Sequence, residues 1–329
     1  MTEENPLLIA GAGIGGLTAA LACAQRGMSV VVLESAPELG EVGAGIQVAA
    51  NGTHVLQKLG LGAALDEIGF KPEAATLRLG QSGRTIFSNP LGASAKERYG
   101  AWYYHVHRAD LHRKLAEAVE AHSQIDLKLN SSVTTFVDHG NHVTVSLSDG
   151  TEALGTALLG ADGIHSSVRE GLFGRDAPRF TGNVAWRLLV PTANLPAGLI
   201  PPHATVWTGP HGHAVTYYVR GGELVNFVGV IERQHWQIEG WQEHGDVAEL
   251  KRDFRPWCAT IHQLIDAADE TTCFKWALFD RDPLPAWSKG RVKLIGEACH
   301  PMLTLITQAD CMEIEETWMM AKQQQNKEE

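Results

Sequence analysis

A glycine turn near the start of the chain constrains the fold more than any other feature. Leu7 to Ala10 is a short apolar run, and Gly11-Ala12-Gly13-Ile14-Gly15-Gly16 follows it directly. An alanine- and leucine-rich stretch then extends from Ile14 to Arg26, with Gly27 placed to end a helix. Ser29 to Leu33 carries three consecutive valines and has the character of a buried strand. The pattern predicts a compact βαβ unit. In such a unit Gly11 permits the tight turn out of the strand, Gly13 lets backbone approach a pyrophosphate, and Gly16 lets the helix pack close to the sheet. The first helical residues, Ile14, Gly15 and Gly16, present free N–H groups to an anion. Glu34, followed by Ser35, ends the second strand 34 − 11 = 23 residues after Gly11, the place for a carboxylate that accepts from a ribose. The turn alone says dinucleotide and leaves NAD and FAD open.

Two later motifs narrow that choice. Ala157 to Gly160 reads as another buried strand and runs into Asp162-Gly163-Ile164-His165-Ser166-Ser167-Val168-Arg169. Asp162 and Ser166 are also good helix-capping residues, so a plain capped turn is a competing explanation for them. Arg291 to Ile295 is a third such strand, entering Gly296-Glu297-Ala298-Cys299-His300-Pro301, where a carboxylate can hold a flavin's ribityl chain. A plain NAD-dependent dehydrogenase would leave both motifs unexplained.

Between these motifs the chain changes character. Thr76 to Ser88 reads as a hairpin turning at 81–83, and 109–121 as a helix. Strands with recurring aromatics dominate 183–231, and helical patterning returns over 246–268. The expected fold is α/β: a Rossmann-type FAD-binding domain (1–75, 100–180 and 285–329) interleaved with a mostly antiparallel substrate domain (76–99 and 181–284). The formal net charge of −11 argues against a nucleic-acid partner. It leaves room for a small anion, since one local arginine outweighs a distant negative surface. The five cysteines are irregularly spaced with no C-x-x-C pair, so no disulfide framework or zinc site is indicated. With no secretory signal or membrane span evident, the cytoplasm is the expected compartment.

Taken in order, the three motifs resemble those of the single-component FAD-dependent aromatic hydroxylases, salicylate and 3-hydroxybenzoate hydroxylases in particular. Gly43-Ala44-Gly45-Ile46-Gln47, His107-Arg108-Ala109-Asp110-Leu111 and the stretch 212–230 extend the likeness. The resemblance implies that Glu34 binds the adenosine ribose and Arg108 the ribityl–pyrophosphate region. It also implies that Asp162 contacts the dinucleotide and that Glu297 takes the place of an aspartate on the ribityl chain. It further implies NADH or NADPH as a transient co-substrate without a domain of its own, dioxygen activated as a flavin hydroperoxide, transfer of oxygen to a phenolic acid, and a homodimer. His213 and Tyr217, four apart on a strand, share a face and are the candidates for substrate contact, His213 as base or relay and Tyr217 to orient. Ordinary sheet packing is the competing account of this pair.

The end of the chain departs from the family's pattern. Glu297 and Cys299 replace aspartate and alanine, Thr304 replaces proline, and Ala309-Asp310 replace glycine-alanine. One added methylene at Glu297 shifts a carboxylate, and an inward Asp310 would oppose a reduced flavin. The resemblance implies further helices after this point, and an early end to the chain is the expectation it sets. The alternative expectation is therefore a degenerate flavin-binding protein that oxidises NADH without hydroxylating, or does not catalyse at all.

Overall fold

The computed structural model describes residues 5–40, 45–233 and 243–300. The first elements are β1 Leu7–Ala10, α1 Ile14–Ala24, β2 Val30–Leu33, β3 Gly45–Val48, α2 Ala50–Lys58 and α3 Gly62–Ile68. Then come β4 Ala74–Leu79, β5 Thr85–Pro90, α4 Gly92–Tyr99, β6 Tyr104–His107, α5 Arg108–Glu120 and β7 Ile125–Lys128. A meander of β8 Val133–Asp138, β9 Val143–Leu147 and β10 Glu152–Gly155 leads to β11 Ala157–Gly160 and α6 Ser167–Phe173. The long strands β12 Arg179–Pro191, β13 His203–Gly209, β14 Gly212–Val219 and β15 Leu224–Glu232 follow. The rest is β16 Glu243–His244, α7 Val247–Asp253, α8 Ala259–Asp266, β17 Phe274–Asp280, β18 Ser288–Lys289 and β19 Val292–Leu294. Helical patterning over 246–268 resolves into two helices, because Pro256 cannot continue the first. The sequence also predicts a last helix starting near Gln308, in a segment that lies outside the described residues.

Two sheets carry the architecture. The first has the order β18-β19-β11-β1-β2-β7, and β19, β11, β1, β2 and β7 run parallel. Both faces of β1 are buried: Leu7 and Ile9 join the core that includes Leu17, Leu21 and Leu115, while Leu8 and Ala10 join the core around Val143, Val145 and Val168. That is why these strands read as unbroken apolar runs rather than alternating ones. The second sheet has the order β16-β17-β12-β15-β14-β13-β4-β5 and is antiparallel except for the β13–β4 pair. Its outer face (Trp186, Leu188, Trp207, Phe227) packs on Phe254, Trp257, Ile261 and Leu264 of the α7–α8 region. The alternate residues, among them Arg187, His213, Val215, Tyr217 and Trp276, form the inner face. That face looks toward the parallel sheet across the β3–β6 pair.

Candidate functional site

Four loops meet at the C-terminal ends of the parallel strands. Glu34 leaves β2, Gly11 leaves β1, Ala161-Asp162 leaves β11 and Gly296-Glu297 follows β19, so the motifs stand in the spatial order of their strands. Backbone bonds stitch them together: Gly11 N–H to Leu33 O at 2.8 Å, Ala161 N–H to Ala10 O at 2.8 Å, and Ile295 N–H to Gly160 O at 2.9 Å. Chain leaving β1 goes to one side and chain in β11 and β19 lies on the other. A sheet of this kind binds its ligand at that switch point.

The turn fits a bound dinucleotide. Gly11 has φ +97°, a left-handed value, and a Cβ there would strike the Ala161 carbonyl; a Cβ on Gly16 would fall on the Gly11 carbonyl oxygen. Gly13 differs, since a Cβ there would meet nothing within 4 Å. Its space is open on the side where a phosphate approaches. Helix α1, which begins at Ile14 and Gly15, has no capping side chain and no acidic residue in its first turn. Its leading N–H groups and dipole are therefore left to an external anion. Glu34 is held beside the turn: Oε2 accepts from Ala12 N–H at 2.7 Å, and Oε1 from Ala36 N–H at 2.8 Å and Ser35 Oγ at 3.0 Å. His112 of α5, buried, meets the Ala12 carbonyl at 2.7 Å and fixes the turn from below.

The second motif is a capping device. Asp162 accepts from Ser166 Oγ at 2.5 Å, Ser167 Oγ at 3.1 Å and Val168 N–H at 3.1 Å, while Ser166 caps Arg169 N–H at 2.9 Å. The capped-turn account of Asp162 and Ser166 thus describes their side chains, and Gly163 (φ +72°) opens the turn with no atom within 4 Å of a would-be Cβ. Arg169 is buried and donates to the carbonyls of Ala298 at 3.2 Å and Ile164 at 2.7 Å. It ties the second motif to the third, a role the sequence pattern did not reveal. Glu297 sits in the short 3₁₀ turn Gly296–Ala298, half-buried. Thr304, Ala309, Asp310, Glu313, Glu316 and Thr317 lie outside the described residues, as do Gly43 and Ala44.

The inner face of the large sheet packs against the β3–β6 pair. His213 and Tyr217 both lie on it, as their spacing predicts, with Val215 between them. Burial lowers the His213 pKa from its usual 6.5, so its ring is neutral at neutral pH. Tyr217 is buried, its hydroxyl donates to the Gly45 carbonyl at 2.5 Å, and its ring lies 4.7 Å from that of His105. Gly45 is required there, because a Cβ would run into the Tyr217 ring and Val219. Through this contact β3 clamps the inner face to the parallel-sheet half. His105 and His107 are buried, in keeping with structural roles. Arg108 opens α5 close enough to Arg187 for their charges to interact, and Asp110 binds Arg220 through two bonds of 2.8 and 3.2 Å. A cavity of about 550 Å³ lies over the same face near Ala204 and Val206, closed by Gln47, Tyr103 and the α4 residue Ala95. Tyr103 donates to Gln47 at 2.6 Å on its wall.

A glycine turn of this construction at the switch point of a parallel sheet, joined to a large antiparallel sheet, is the build of a dinucleotide-dependent enzyme. The chain belongs to the FAD binding domain family, whose model matches residues 4–307. It is similar to the 6-hydroxynicotinate 3-monooxygenase of Pseudomonas fluorescens, with 36% identity over 98% of this chain and 83% of the relative. It is similar also to the 3-hydroxybenzoate 6-hydroxylase of Polaromonas naphthalenivorans (strain CJ2), with 38% identity over 95% of this chain and 77% of the relative. Among solved structures, Klebsiella pneumoniae HpxO complexed with FAD and uric acid superposes with a TM-score of 0.84 at 28% identity, covering 96% of this chain and 79% of that one. The protein is thus an enzyme of the FAD-dependent monooxygenase class. Among the described residues no helix is long and apolar enough to cross a membrane, and no cluster of side chains is arranged to hold a metal.

Proposed function

We propose that the protein hydroxylates a phenolic aromatic acid of the hydroxybenzoate or hydroxynicotinate kind, using NADH or NADPH and dioxygen. The supporting observation is the inner face: a half-buried, neutral histidine and an anchored tyrosine bracket one apolar stretch of β14. Relatives named for aromatic acids that carry both a ring hydroxyl and a carboxylate support the same chemistry. Residues 1–75, 100–180 and 285–329 form the FAD half in this proposal, and 76–99 and 181–284 the substrate half. The enzyme works in the cytoplasm as a homodimer; the free Cys23, Cys258, Cys273 and Cys299 suit a reducing compartment.

FAD, when bound, takes up reducing equivalents and activates dioxygen. The protein's own work is binding, orientation and proton handling. Gly11, Gly13 and Gly16 shape the pyrophosphate cradle, the N–H groups of Ile14 and Gly15 lie at its mouth, and Glu34, with Ser35 beside it, receives the ribose hydroxyls. Arg108 and Glu297 hold the ribityl side. At Asp162-Gly163 the contact comes from backbone, since the carboxylate is engaged in capping. His213 accepts the phenolic proton at a ring nitrogen, which raises the electron density of the ring to be attacked. The Tyr217 hydroxyl donates to the Gly45 carbonyl, which fixes its ring in place to orient the substrate.

One preparation tests this. The purified protein is expected to be yellow, to oxidise NADH or NADPH faster when 3-hydroxybenzoate or 6-hydroxynicotinate is present, and to yield a product heavier by one oxygen atom. Peroxide formation without that product would instead support the uncoupled reading of the altered C-terminal sequence. Glu34→Ala is expected to weaken FAD binding about tenfold or more, as two charge-assisted hydrogen bonds are lost. Titration of apoprotein with FAD checks this, and an unchanged affinity would remove Glu34 from the ribose site.

A further inference from the structure

Arg187 has, among the described residues, no carboxylate beside it to pair with. It sits mid-strand on β12, on the inner face, half-buried, with its guanidinium 5.3 Å from the ring centroid of Phe274 and 5.2 Å from that of Trp276. Among the described residues it has neither a hydrogen-bond partner nor a carboxylate partner. Arg108 lies close enough to act on it unfavourably, and the Asp110 carboxylate of the same region is engaged by Arg220. Burial and then the Arg108 charge lower the Arg187 pKa, with Tyr217 acting the other way. A partly buried guanidinium in a positive region is costly without an anion to complete it.

Sheet register sets where that anion must sit. Arg187 pairs with Val228, and Val228 with Val215, the residue midway between His213 and Tyr217. Two strand spacings put the Arg187 backbone about 10 Å from Val215, while His213 and Tyr217 stand about 13 Å apart along β14. Side chains from three corners of that triangle can converge on a single aromatic ring. The aromatic walls of Phe274 and Trp276 keep the guanidinium plane fixed, which suits two-point binding of a planar carboxylate. We propose that Arg187 is the residue that recognises the carboxylate of the aromatic substrate, and so selects ring acids over neutral phenols. The proposal rests on the inner face being the substrate site.

Spectral titration of the FAD-loaded protein tests it, with 3-hydroxybenzoate and its uncharged amide 3-hydroxybenzamide as paired probes. The wild type should bind the acid about 30-fold or more tighter than the amide. In Arg187→Gln that gap should collapse to within about threefold while amide affinity and FAD content hold. Arg187→Lys should retain part of the gap, because the charge stays but the fork is lost. A wild type that binds both probes equally would overturn the proposal without any variant. So would an undiminished gap in Arg187→Gln or Arg187→Lys, or a variant whose only defect is FAD loss. Each of these outcomes leaves hydroxylation of aromatic acids standing. Failure of the wild type to bind any aromatic ligand would instead defeat the reading of the face itself.

Discussion

Gly16→Ala is expected to abolish FAD binding and to destabilise the protein by about 3 kcal/mol or more. The added methyl group would fall on the Gly11 carbonyl oxygen, and Gly11 cannot retreat because it is itself pressed against the Ala161 carbonyl. Both obstacles are backbone, so no rotamer change relieves the overlap; α1 must move away from β1. That motion opens the core in which Ile14 and Leu17 are almost fully buried. Gly13→Ala makes the contrasting case. A methyl group there meets no protein atom, and the residue's φ of −68° suits alanine. The Gly13 variant should melt like the wild-type apoprotein and yet lose FAD affinity, because the methyl group occupies the space left for the pyrophosphate. Thermal melting with and without FAD separates the two. A Gly16→Ala protein that keeps its flavin and melts within about 2 °C of wild type would refute the packing account.

His213→Ala should lower the hydroxylation rate by about 10²- to 10⁴-fold, the usual contribution of a positioned base, while FAD content stays unchanged. His213 stands on β14 and is not one of the turn or strand-end residues that form the dinucleotide cradle, so its loss takes no contact from that cradle. The pH profile gives an independent signature. Because burial lowers the His213 pKa, the ring remains an unprotonated base as the pH falls through 6.5, the ordinary histidine value, and is protonated only below that. The midpoint of the acid limb of the wild-type rate should accordingly lie below the ordinary histidine value. His213→Gln, which keeps shape but cannot take up the proton, should lose that acid limb along with the rate. Equal product formation in His213→Ala and wild type would take His213 out of the mechanism.

The parts of this site that were legible in sequence are those where one residue type is forced by backbone geometry. Gly11 and Gly16 have no alternative at their positions, and Glu34 ends a strand whose three valines mark it as buried on both faces. The shared face of His213 and Tyr217 followed from the two-residue period of a strand. Arg187 was not legible, because a lone arginine in a strand carries no pattern, and its significance comes from register with Val215 on a strand two positions away. The β3–β6 pairing and the parallel β13–β4 pairing were equally hidden, since each joins segments with no sequence signal for the other. At Asp162 the sequence supported both a cap and a ligand contact, and capping is where the side chain is engaged.

The backbone stitching at the strand ends bears on how the protein is made. Ala10 and Ala161 are joined by a hydrogen bond across 161 − 10 = 151 residues, and Gly160 and Ile295 across 295 − 160 = 135. An emerging nascent chain therefore exposes its glycine turn long before the loops that complete the pocket exist. Contacts of such long sequence separation form late and slowly. Flavin capture then marks the end of synthesis rather than nucleating it, and the apolar strand β1 must wait for β11, and β11 for β19, in a state vulnerable to mispairing. Supply of FAD at that moment would act on yield as well as on activity, by drawing the completed chain out of that state.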